Sequence, residues 1–243
     1  MQTIILGVGH LGRAVAAAAA ERGERTHMLG RPAGPGHDPA AFADADLVVD
    51  ATHAAAVAPS VEAALGAGVR RFVIATTGWS DARPAVDAAL RGAGASAVVA
   101  ANFSLGVALF SRLVETAAEL FGGVEGFDPY LLEWHRRAKA DRPSATAVDL
   151  AARLTAGRAR VSSADALEVV SIRAGASPGM HLVGFDAPGE TVELRLTARD
   201  RTAYAAGILA TTDWLRRAPR APGIHAFDLV VDELLAARPD LAA

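Results

Sequence analysis

Apolar positions along the chain gather in two kinds of run, and the two kinds alternate. Short, nearly unbroken runs occupy residues 2–6, 25–29, 46–50, 71–75 and 96–101. Between them lie longer Ala-rich stretches at residues 13–20, 57–67 and 82–92, whose composition favours helix. A brief apolar run bounded by turn residues suits a strand buried on both faces, as in a parallel sheet. Alternating strand and helix is the pattern of an α/β unit with helices packed over its sheet. Small polar residues recur where the strands end: Thr52, then Thr76 and Thr77, then Asn102 and Ser104. Those carboxyl ends are where ligands bind in an open parallel sheet, although each one alone also suits an ordinary turn. The Pro- and Gly-rich segment 32–39 is expected to be a loop.

Beyond Ser104 the pattern changes. A long helix is expected over Leu105–Phe121, ended by Gly122 and Gly123 with Gly126. Strand-like segments follow at residues 128–133, 167–174, 181–186 and 190–198, interrupted by a helix from about Thr146 to Thr155. The last three strands lie close together and are expected to form an antiparallel sheet with one face to bury. Helices are expected again at residues 202–215 and 227–237, and there are no internal repeats.

The N-terminal turn carries the first recognisable chemistry. Gly7, Gly9 and Gly12, with His10 and Leu11 inside the turn, stand between the first strand and a strong helix. In that setting Gly7 allows a tight turn, Gly9 lets backbone approach a pyrophosphate, and Gly12 lets helix and strand pack closely. The expected fold class is therefore α/β, with an N-terminal Rossmann-type doubly wound parallel sheet over residues 1–104. A second α+β domain on a mixed or antiparallel sheet is expected over residues 105–216, with residues 217–243 returning to the first domain. Units of this kind usually end their second strand in an acidic residue that holds the ribose, but here Gly30 and Arg31 stand there. An arginine pairs well with a 2′-phosphate, which favours NADPH and leaves NADH possible; Arg31 suits a surface turn equally well.

A second constellation follows the apolar run that ends at Glu133. His135, Arg136, Lys139, Ser144, Ala145 and Thr146 fall within a dozen residues, just where a helix should begin. A helix start leaves backbone N–H groups unpaired, which suits a carboxylate or phosphate. A histidine and a lysine beside such a cradle make a proton donor and a clamp. An ordinary strand-to-helix loop with solvated charges would look the same locally.

Composition narrows the field only mildly. Hydrophobic content of 51% with 21% charged residues suits a soluble globular protein, and a net charge of −3 gives no reason to expect nucleic acid as a partner. The absence of cysteine excludes disulfides and thiolate chemistry, and nothing points to secretion. The start lacks a basic n-region and the Ala-rich run at 14–20 is too short to span a bilayer, so a cytoplasmic enzyme is expected. The seven histidines are scattered without ligand spacing to acidic residues; no metal is expected, and His53 and His181 are taken as structural.

Over nearly its full length the chain resembles the dihydrodipicolinate reductase family, the 4-hydroxy-tetrahydrodipicolinate reductases of bacterial lysine biosynthesis. The resemblance is carried by the glycine turn, Ala75–Trp79, Ala100–Val107, Glu133–Ala147, Ile172–Gly175 with Gly179 and His181, and Arg201–Gly207. It implies hydride transfer from NAD(P)H to a cyclic unsaturated imino dicarboxylate, a small anionic substrate. By this resemblance His135 matches the catalytic acid and Lys139 its partner lysine, while residues Ala145 and Thr146, beside Ser144, match the backbone positions that hold a substrate carboxylate. Thr77 and the segment Ala100, Ala101, Asn102 and Phe103 match nicotinamide-side contacts, with Thr52, Ala75 and Thr76 at the same strand ends, and Arg31 matches a phosphate-reading arginine. The resemblance also implies a homotetramer built through the second domain's sheet, or else a homodimer.

Four positions depart from the family's pattern. Arg136 stands where a second histidine is usual, Ala145 and Ala75 where glycine is usual, and Ala51 where an aromatic often precedes the threonine. An added methyl group disfavours positive φ, so the carboxylate loop at Ala145 is expected to be reshaped. Arg136 offers compensation, because a guanidinium grips a carboxylate bidentately. Two alternatives to the lysine-pathway enzyme stay open: a relative acting on another imine or enone, and a non-catalytic NADPH-binding relative. The second would be marked by loss of the proton donor or the lysine, and both are retained.

Overall fold

In chain order the first strands and helices are β1 (Gln2–Leu6), α1 (His10–Glu21), β2 (Arg25–Leu29), β3 (Leu47–Asp50), α2 (Ala54–Gly66), β4 (Arg71–Ile74), α3 (Arg83–Gly92) and β5 (Ser96–Val99). There follow α4 (Leu105–Gly122), β6 (Asp128–His135), α5 (Ala145–Ala156), β7 (Glu168–Arg173), β8 (Met180–Ala187) and β9 (Glu190–Thr197). The last elements are α6 (Thr202–Arg217), β10 (Gly223–Ala226) and α7 (Phe227–Ala236). The computed structural model describes residues 1–32, 36–156 and 167–237, so the centre of the expected loop at 32–39 lies outside the described residues. The chain divides into two units, Met1–Leu105 with the segment from Arg201 onward, and Gly106–Asp200.

The first unit holds a six-stranded sheet in the order β10-β5-β4-β3-β1-β2, parallel throughout. β3 is buried along its whole length and β4 from Phe72 onward, which is why they appear in the sequence as nearly unbroken apolar runs. Ile4, Leu6, Val48, Phe72 and Ile74 pack against Val57 and Val61 of α2 and Leu90 of α3. β1 has β2 on one side and β3 on the other. The connections therefore leave β1 in opposite directions, and a crevice opens at the carboxyl ends of β1 and β3. β10 was not expected from sequence; its four residues gain their ladder by pairing in parallel with β5.

The boundary expected after residue 216 is corrected to residue 200, because α6 belongs to the first unit. Ile208, Leu209, Trp214 and Leu215 of α6 are buried. Arg216 reaches Asp46 at 3.0 Å and Thr3 Oγ1 at 2.6 Å, and Asp213 accepts from Arg22 at 2.7 Å. The helix is thus stitched to the first strand and first helix by groups from both ends of the chain.

The second unit holds a mixed sheet in the order β7-β6-β8-β9. The expected antiparallel set of the last three strands is corrected: β8 and β9 form a hairpin, but β7 pairs in parallel with β6 on the far edge. Nearness in sequence favoured a hairpin between β7 and β8. β6–α5–β7 is instead a crossover unit, and a helix between two strands returns the second one parallel to the first. One face packs Leu131, Val183 and Phe185 against Phe110 and Val114 of α4 and Leu150 and Leu154 of α5. Tyr130, Leu132, Trp134, Val170 and Ile172 alternate with that buried set along β6 and β7. Among the described residues, no helix is long and apolar enough to cross a membrane.

Candidate functional site

The glycine turn has the geometry its spacing promised. Gly7 has φ +105°, and a Cβ there would lie 2.4 Å from the Ala51 carbonyl oxygen; one on Gly12 would lie 2.0 Å from the Gly7 oxygen. Nothing stands within 4 Å of a Cβ built on Gly9, so the turn is open on that side. α1 starts at His10 without a side-chain cap, and its first helical bond runs from Arg13 N to Gly9 O at 3.0 Å. The amides of His10, Leu11 and Gly12 therefore have no acceptor within the helix, which fits the pyrophosphate of a dinucleotide.

At the next strand ends the structure reveals a residue the sequence reading passed over. The Asp50 carboxylate closes β3 and is buried, and its Oδ1 accepts from Thr52 N at 3.0 Å, Thr52 Oγ1 at 2.7 Å and Thr76 Oγ1 at 2.6 Å. Thr52 N also donates to Thr76 Oγ1 at 2.9 Å. The donors of Thr52 and Thr76, expected among the cofactor contacts, are thus committed to shaping the edge. Thr77 and Ala101 are exposed at that edge, Ala75 and Ala100 half-buried, and Asn102 Oδ1 holds Ser104 N at 2.8 Å. The ring of Phe103 is turned into the core against Phe227, 5.0 Å between centroids, so only its backbone remains for a cofactor. Arg31 is exposed just past β2.

In the second unit the chemistry centres on β6. Its side chains alternate, so Leu131, Glu133 and His135 share the buried face, and antiparallel register sets Glu133 opposite His181 of β8. Glu133 is fully buried; its Oε1 accepts from Ser144 N at 3.0 Å, Ser171 Oγ at 2.6 Å and Arg173 Nη2 at 2.7 Å. Its Oε2 lies 3.2 Å from His135 Nε2 and 3.8 Å from His181 Nε2. Burial alone would raise the Glu133 carboxyl, but the donors of Ser144, Ser171 and Arg173 outweigh it and hold it at about 2. Burial lowers His135, with Lys139 and Arg173 adding to the effect and Glu133 and the Pro178 backbone opposing it. Burial, then the neighbouring His135, lowers His181 to about 4.

Sequence reading missed Glu133, Ser171, Arg173 and His181 as a group, and its view that histidines and carboxylates are scattered is corrected. The ligand-type atoms of Glu133, His135 and His181 lie within 4.8 Å of one another, close enough to hold a metal ion. Arg173 already neutralises the carboxylate, so a divalent cation would add uncompensated charge to a buried site. The available signal was a carboxylate on the buried face of an apolar strand, since such a charge must find a partner.

Around this cluster lie the remaining expected residues. Lys139 pairs with Asp141 at 2.7 Å, which lowers the Asp141 carboxyl; Arg136 is exposed beside His135. Ser144 caps α5: its Oγ accepts from Ala147 N at 3.2 Å and its carbonyl from Val148 N at 2.9 Å. The amides of Ala145 and Thr146, in the first turn, have no acceptor within the helix. The reshaping expected at Ala145 is not found, for among the described residues no non-glycine has positive φ. Ala145 begins an ordinary helix, and a methyl group there strains nothing.

Family profiles described as dihydrodipicolinate reductase, N-terminus and dihydrodipicolinate reductase, C-terminus match residues 1–103 and 106–230. The 4-hydroxy-tetrahydrodipicolinate reductase of Methanococcoides burtonii is 31% identical over 194 residues, 75% of this chain and 72% of that one. The Gluconacetobacter diazotrophicus protein of the same name is 36% identical over 207 residues, 76% of this chain and 79% of its own. A dipicolinate-bound dihydrodipicolinate reductase from Paenisporosarcina sp. TG-14 superposes with a TM-score of 0.72 at 19% identity, covering 93% of this chain and 97% of that one.

Proposed function

The chain belongs to the dihydrodipicolinate reductase family, and from that membership we infer that it is a pyridine-nucleotide-dependent 4-hydroxy-tetrahydrodipicolinate reductase of lysine biosynthesis. The observation that carries the assignment to these residues is the pairing of a buried imidazole, His135, with the open first turn of α5 on the same unit. The bound nucleotide supplies the hydride. His135 delivers the proton that accompanies it, and the amides of Ala145 and Thr146 hold a substrate carboxylate, with Lys139 and Arg136 providing positive charge nearby. Arg31 reads a 2′-phosphate, which makes NADPH the preferred nucleotide. The apolar side chains of β6 and β7 that face away from the helices, Trp134, Val170 and Ile172 among them, are 37–41% exposed and support assembly into a homotetramer or homodimer through this sheet.

The test is NADPH oxidation with freshly generated 4-hydroxy-tetrahydrodipicolinate. His135→Ala and Lys139→Ala are each expected to lower kcat/KM by roughly 10²–10⁴-fold. Arg31→Ala is expected to raise KM for NADPH about tenfold and leave KM for NADH unchanged. Turnover confined to other cyclic imines would replace the substrate, a change that Arg136 would explain; nucleotide binding without any turnover would make the protein a sensor.

A further inference from the structure

We propose that Glu133 is a positioning residue that sets the His135 ring and the first turn of α5 in register with one carboxylate. The proposal deepens the reductase assignment and rests on it. Three donors from three different places, Ser144 N, Ser171 Oγ and Arg173 Nη2, converge on Oε1 and fix the carboxylate plane. That fixes the direction of Oε2, which has no hydrogen bond of its own and faces His135 Nε2, equally unbonded, at 3.2 Å. Two buried lone pairs at this separation repel unless a proton lies between them. Oε2 therefore keeps a proton on Nε2. Its negative charge favours the doubly protonated ring, the state with a proton to give, much as a carboxylate orients an imidazole and stabilises its charged form in a catalytic triad.

Lys139 and Arg173 oppose the charged ring, and His181 is held neutral by burial. Ser144 Oγ accepts from Ala147 N and lies 3.3 Å from His181 Nε2. The same Ser144 gives its backbone N–H to Glu133 and caps α5, so the amides of Ala145 and Thr146 stand at a distance from His135 that Glu133 sets.

The experiment follows the His135 and His181 rings by NMR in unliganded protein carrying ¹⁵N-histidine, in wild type and Glu133→Gln, alongside pH–rate profiles. In Glu133→Gln the His135 titration is expected to move to lower pH, and the alkaline limb of kcat, where the acid loses its proton, to move with it. The rate at neutral pH is expected to fall about 10- to 100-fold and to recover partly on acidification, with KM for the nucleotide unchanged. A slower variant with unmoved titration and unmoved profile would mean that Glu133 serves stability alone, and would overturn the proposal. Should Glu133→Gln not fold, the wild-type spectrum decides: a neutral His135 ring protonated on Nδ1, with Nε2 bare toward Glu133, contradicts the arrangement. The ring titrations need no turnover, so a protein that reduces nothing would sink the reductase assignment while leaving Glu133 to be judged separately.

Discussion

Asp50 in the first unit and Glu133 in the second are both buried carboxylates that crowd donors onto one oxygen and leave the other without a hydrogen bond. Their partners differ. Asp50 is held by the backbone and hydroxyl of Thr52 and the hydroxyl of Thr76, all neutral. Glu133 is held by a guanidinium and faces two imidazoles. A carboxylate among neutral donors works as a clasp, tying the ends of β3 and β4 into one edge. A carboxylate among titratable groups also governs where a proton sits. The two sites use the same acceptor, and what surrounds it decides whether the result is shape or chemistry.

The contrast is most severely tested at Arg173, which has no counterpart around Asp50. Arg173→Ala leaves Glu133 buried without its cation and is expected to cost about 3–5 kcal/mol in urea unfolding. A cost below about 1 kcal/mol would show that Glu133 draws its stabilisation from neutral donors, as Asp50 does.

Acid is the next lever. His181 has its proton affinity lowered from 6.5 to about 4 in the folded protein, so the unfolded chain binds the proton first. The His181 contribution to stability is therefore expected to fall as pH drops from 6.5 and to level off near 4. Glu133, lowered from 4.5 to about 2, contributes stability that is complete above 4.5 and is lost as pH falls through about 2. Each change corresponds to roughly 3 kcal/mol, and a stability profile that stays flat on acidification would contradict both. The smallest effect is expected at the clasp, where Thr76→Val removes one neutral donor from Asp50 and should cost about 1 kcal/mol. A cost of several kcal/mol there would erase the distinction.

Much of this architecture was legible before any coordinates. Strands β3 and β4 are buried on both faces, so their apolar runs announced them. The glycine turn was equally plain, because each glycine answers a local demand: Gly7 a positive φ, Gly12 a close approach. His135, Lys139 and the start of α5 were found because they lie next to one another in the chain. β10 was invisible, since four residues at a sheet edge carry too little pattern of their own. The place of α6 was hidden too, because its anchors Thr3, Arg22 and Asp46 lie at the far end of the chain.

Local sequence determined the elements, the glycine turn and the residues of the His135 loop, since propensity, periodicity and close spacing act over a few residues. The alternation of β6 also required Glu133 and His135 to share a face. What stood opposite them was set by strand register and by a crossover that carries Arg173 to the same carboxylate from 40 residues away. Those pairings exist only once the sheet has formed, because a one-residue slip in register would put His181 on the other face. The tertiary structure alone therefore decided which of these residues act together.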